Sequence, residues 1–178
     1  MVTSEIKWLY IGTLAQRFLK TITEILTDLS ERFPLSESAI QIIKSMEEKA
    51  RMGNIPDPDS LENIAKKEKD SSIFLLAGLV HREFGRFLAA NILDRGAFVE
   101  ETFGAYIKAI GILLGLLILK KDKWLENELL RSLMEIKYVV NESKVIIKQE
   151  YMILLKGIET MVLSVLKVLG MGVGNHED

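Results

Sequence analysis

The stretch GLVHREFGRFLA, residues 78–89, decides how this chain is read. It lies inside a long helix-periodic segment, yet it holds two glycines, and a glycine in a helix interior costs about 1 kcal/mol relative to alanine. A second stretch, GAYIKAIGILLG, residues 104–115, repeats the arrangement. Gly78, Arg82, Gly85 and Ala89 in the first correspond to Gly104, Lys108, Gly111 and Gly115 in the second, at spacings of four, three and four. Those spacings put each set on one helix face.

With a turn near Gly96, the two helices run antiparallel. Ala89 then falls beside Gly104, Gly85 beside Lys108, Arg82 beside Gly111 and Gly78 beside Gly115. The expectation is a close hairpin in which each basic stem lies across a glycine and dispersion contacts offset the lost helix propensity. A second expectation is that one of the glycine faces docks on another subunit, as small-residue seams do between separate helices. A third is an anion-binding groove lined by Arg82, Arg86 and Lys108.

Outward from this hairpin the chain keeps helical period. Trp8, Ile11, Ala15, Phe18, Ile22, Ile25 and Leu29 form an unbroken heptad seam, which Pro34 ends. A helix follows Ser36, with Ala39, Ile43, Met46 and Ala50 on one face. The sequence GNIPDP, residues 53–58, is a loop, and Asp57–Pro58 opens a short polar surface helix anchored by Leu61, Ile64 and Ala65. Asp70 to Ser72 caps the next helix, which runs to about Arg95. Glu100 and Glu101 begin another and Lys120 and Lys121 close it, a charge order that suits the helix dipole. Asp122 caps a helix bearing Leu125, Leu129, Leu133, Ile136 and Val140.

The last helix carries a second heptad series, Ile147, Tyr151, Leu154, Ile158, Met161, Val165 and Val168, beside another apolar face of Leu155, Val162, Leu166 and Leu169. A helix apolar on most sides is expected at the centre of a fold. No segment alternates at period two between turn signals. The fold expected is all-α, an antiparallel bundle of six to seven helices, with residues 1–169 as one domain and 170–178 as a flexible tail.

Composition narrows function. The chain has 178 residues, a net charge of -2 and no cysteine, which excludes disulfides, thiolate metal sites and cysteine nucleophiles. The N-terminal residues lack a signal-peptide layout, so a cytoplasmic location is expected. Charged residues that are mostly Lys and Glu lean toward a thermophilic source. The longest apolar run, Ala109 to Leu119, is eleven residues and covers roughly half of a ~30 Å hydrocarbon core, so no membrane span is expected.

No catalytic signature is present. Metal sites in helical bundles use Glu-x-x-His pairs, and none occurs. His81 has no acid three or four residues before it and reads as a partly buried helix residue. His176 lies in the tail. No metal and no cofactor is expected. The function expected is that of a non-enzymatic helical subunit or adaptor, acting by homo-oligomerisation or by assembly with a protein partner. The alternative is an accessory subunit of a nucleoprotein complex, touching phosphates through Arg82, Arg86, Lys120, Lys121 and Lys123.

Overall fold

The computed structural model describes residues 24, 35–52, 58–95, 99–142 and 148–171. The fold is an all-α helical bundle, with six helices and no strand among the described residues. In chain order the helices are α1 (Glu37–Arg51), α2 (Pro58–Glu68), α3 (Ser71–Arg95), α4 (Val99–Leu119), α5 (Lys123–Glu142) and α6 (Lys148–Val168). The heptad seam over Trp8–Leu29, the turn at Gly96 and the tail beyond residue 171 lie outside the described residues. The chain divides into two compact units, residues 1–87 and 88–178, and the division falls within α3.

The helix starts are set by side chains that accept orphan amide protons, as their sequence positions predict. Ser36 Oγ accepts from the Ala39 amide at 3.1 Å at the head of α1. Asp70 Oδ1 accepts from Ser72 and Ile73 at 2.9 and 3.3 Å at the head of α3. Asp122 Oδ1 accepts from Trp124 and Leu125 at 2.8 and 3.1 Å at the head of α5.

Two helix ends share one closing device. At the end of α2 the Asp70 amide donates to the Ala65 carbonyl at 3.2 Å, with Lys69 in the left-handed region at φ 53°. After α6 the Met171 amide donates to the Leu166 carbonyl at 2.8 Å, with Gly170 at φ 73°. Both are six-to-one closures of the Schellman type, one built on glycine and one on lysine.

In the first unit Ala39, Ala65 and Ile73 form a buried cluster, with Leu35, Ile42 and Phe74 packed on it. It draws on α1, α2 and the start of α3. The α3 segment from Leu75 to Arg82 is buried at every position. In α2, Leu61 and Ala65 are buried, while Ile64 is exposed.

In the second unit α4 and α5 pair as an antiparallel hairpin. Ala105, Ala109, Ile110, Leu113 and Leu117 are buried on α4, and Leu125, Leu129, Leu133, Ile136 and Val140 on α5. Across this pair the Tyr106 hydroxyl donates to Glu135 Oε2 at 2.9 Å. On the other side of α5, Lys137 Nζ meets Glu159 Oε2 of α6 at 2.7 Å. Rings of Phe103 and Tyr151 join α4 to α6, centroids 4.9 Å apart.

The expectation of a central last helix is corrected here. Among the described side chains of α6, only Tyr151, Leu155, Val162 and Leu166 are buried, and Ile153, Leu154, Met161, Leu163 and Val168 are exposed. The physical reason is geometric. One stripe of α6 suffices to meet α5 and the start of α4, and the heptad series lies mostly beside that stripe rather than on it. By length and composition one segment among the described residues, Glu100–Leu119, is apolar enough to cross a bilayer, and 44% of its most apolar window is buried inside the protein.

Candidate functional site

The two glycine stretches take different surroundings. On α3, Gly78, Arg82, Gly85 and Ala89 are buried. On α4, Gly104, Lys108, Gly111 and Gly115 are exposed. Outside each glycine's own helix backbone, no neighbouring atom lies within 4 Å of where a β-carbon would sit on Gly104, Gly111 or Gly115. At these three positions the face of α4 is open, whereas the expected register set Gly111 beside a basic stem and Gly104 and Gly115 beside small residues. The α4 core face runs through Ala105, Ala109 and Leu113, and positions 104, 111 and 115 turn away from it.

The basic residues also differ in burial. Arg82 is buried, and its Nε lies 3.9 Å from Glu83 Oε1. Arg86, on the same helix one turn on, pairs with the same carboxylate. Of the five cations expected to touch phosphates, Arg82 is the buried one. Lys120 and Lys121 are exposed just past the end of α4, and Lys123 pairs with Glu126 Oε2 at 3.0 Å.

Two features stand out. The first is the outward strip of α6. Leu154, Met161 and Val168 recur every seven residues and are 54%, 51% and 86% exposed. Gly157 and Ser164, also seven apart, lie alongside them and are exposed too. The opposite flank of α6 borders a groove of about 500 Å³, lined by residues that include Lys137, Met152, Glu159 and Leu163.

At the head of α6, burial raises the Tyr151 hydroxyl above its usual range, and the carboxylates of Glu100, Glu101 and Glu150 add to the shift. Each of these causes disfavours the phenolate.

The second feature lies in the first unit. His81, expected to be partly buried, is almost wholly enclosed on α3. Its Nε2 lies 3.5 Å from Glu62 Oε2 and 4.0 Å from Asp59 Oδ1, both carried by α2. Side-chain exposure falls from 57% at Asp59 to 22% at Glu62 and 4% at His81, so the group runs from surface to interior. Lys66 Nζ meets the other Glu62 oxygen at 3.2 Å, one turn along α2.

A search for acids on the histidine's own helix misses this group, because both acids come from the preceding one. A usable signal was present. Asp59 and His81 stand eleven residues either side of Asp70, the cap at which the chain reverses, and a tight helical hairpin brings such equidistant residues together. Glu62, three positions after Asp59, shares its face of α2.

The chain matches no family model, no curated protein and no solved structure.

Proposed function

We propose that the protein is a non-enzymatic helical subunit that works by assembly, and that it self-associates through the outward strip of α6. The observation that carries this reading is the exposure of Leu154, Met161 and Val168 along one line of the helix. Large apolar side chains repeated in this way are an uncommon feature of a surface with no partner.

The seven-residue spacing favours another helix as the occupant. A heptad line is the pattern that knobs-into-holes packing between two helices requires. Gly157 and Ser164 alongside it allow a second backbone to come close. A second copy of the chain supplies a matching line, and two copies related by a two-fold axis bury the same patch on each side.

Light scattering coupled to size exclusion tests this at micromolar concentration. The chain is expected to run as a dimer or a larger closed oligomer. The double variant Leu154→Lys, Met161→Lys is expected to run as a monomer with unchanged helical circular dichroism. A wild-type chain that remains monomeric at about 100 μM would remove the reading, since a stable interface of ordinary size associates well below that concentration.

A further inference from the structure

We propose that Asp59, Glu62 and His81 form a binding site for a divalent transition-metal ion of the Zn²⁺ class, joining α2 to α3 within the first unit. The proposal is independent of self-association. Three ligand atoms, one imidazole nitrogen and two carboxylate oxygens, all lie within 4.8 Å of one another.

Their spacing favours an ion over a direct pair. A charge-assisted hydrogen bond between imidazolium and carboxylate brings its heavy atoms to about 2.7–2.9 Å. Ligands held at ~2.0–2.2 Å around a tetrahedral ion stand roughly 3.4 Å apart. The two contacts of His81 Nε2, at 3.5 and 4.0 Å, sit near the second value and beyond the first.

The donors also differ in freedom in a way that suits metal capture. The His81 nitrogen is fully enclosed, so the packing of α3 fixes its position. Glu62 is partly enclosed and has its other oxygen held by Lys66, which directs Oε2 toward the histidine. Asp59 is the most exposed of the three and can swing inward to close the coordination.

One nitrogen with two oxygens suits Zn²⁺, Mn²⁺ or Fe²⁺ better than Ca²⁺ or Mg²⁺, whose sites are built from oxygen alone. Three protein ligands leave at least one coordination position for water on the exposed side.

The test uses the full chain after treatment with a chelator. Zn²⁺ is titrated by calorimetry, and Co²⁺ by its visible absorption bands. One equivalent is expected to bind. Asp59→Asn and Glu62→Gln are each expected to weaken binding by at least about tenfold, with helical circular dichroism unchanged, because neither side chain belongs to the apolar core. His176→Ala, which removes the only other histidine, is expected to leave binding as it was. Absence of saturable Zn²⁺ binding up to about 1 mM, a typical weak-ligand limit, would overturn the proposal. So would an affinity unchanged in both carboxylate variants, or one lost with His176.

Discussion

On α3, Gly78 lies within a run of buried positions, and Gly85, one turn beyond that run, is buried too. On α4, Gly104, Gly111 and Gly115 occupy the same relative spacing and look onto open space. The difference comes from the residues between them. Around Gly78 the chain reads Leu75, Leu76, Ala77, Leu79 and Val80, apolar at every angle, so no face of that helix prefers water. Around Gly111 the buried positions Ala109, Ile110, Leu113 and Leu114 gather to one side and commit that side to α5. Glycine spacing places residues on a common face, but the bulk of the intervening side chains decides which face turns inward.

The sharpest way to break this contrast is Gly85→Leu. Adding a side chain at a buried helix position forces neighbours to move, and a loss of about 1–3 kcal/mol in stability is expected from the urea midpoint. A neutral result would mean that Gly85 has room beside it and that the two stretches differ less than their burial implies.

The reverse substitution sharpens it. Gly111→Ala fills only open space on an exposed helix face, so it is expected to raise stability by about 1 kcal/mol through helix propensity alone. It is also expected to leave the oligomeric state unchanged, because the surface proposed for association lies on α6. A shift in mass on light scattering would instead assign the glycine face of α4 to the contact between copies.

The smallest effect concerns the end of α4 that meets α6. Tyr151 has a raised pKa in the folded protein, chiefly from burial and then from nearby carboxylates. The neutral phenol is thus the favoured form in the native state. Its contribution to stability is full below the ordinary tyrosine value of about 10 and is lost as pH rises through the folded value. Absorbance titration at alkaline pH is expected to show a late phenolate component that Tyr151→Phe removes. An unchanged curve in that variant would show that α4 and α6 do not enclose the ring.

Much of the fold was legible because it depends on local chemistry. Ser36, Asp70 and Asp122 each cap the helix that their positions announce. The five apolar positions expected on α5 are all buried. What could not be read was the choice between two apolar faces on one helix. On α6 the heptad series and the line of Leu155, Val162 and Leu166 are of similar hydrophobicity, and only contact with the neighbouring helices selects the second as the buried one. The Asp59, Glu62 and His81 group escaped for a related reason. Its members are local within each helix, but they meet only through the pairing of α2 with α3.

That pairing turns on a single residue. The Asp70 amide finishes one helix and its carboxylate starts the next, so the corner contains no spare backbone. Opening either helix at this corner means giving up the bonds of both. The amides of Asp70, Ser72 and Ile73 should consequently exchange with heavy water as one cooperative unit, at a common rate set by the release of the whole elbow.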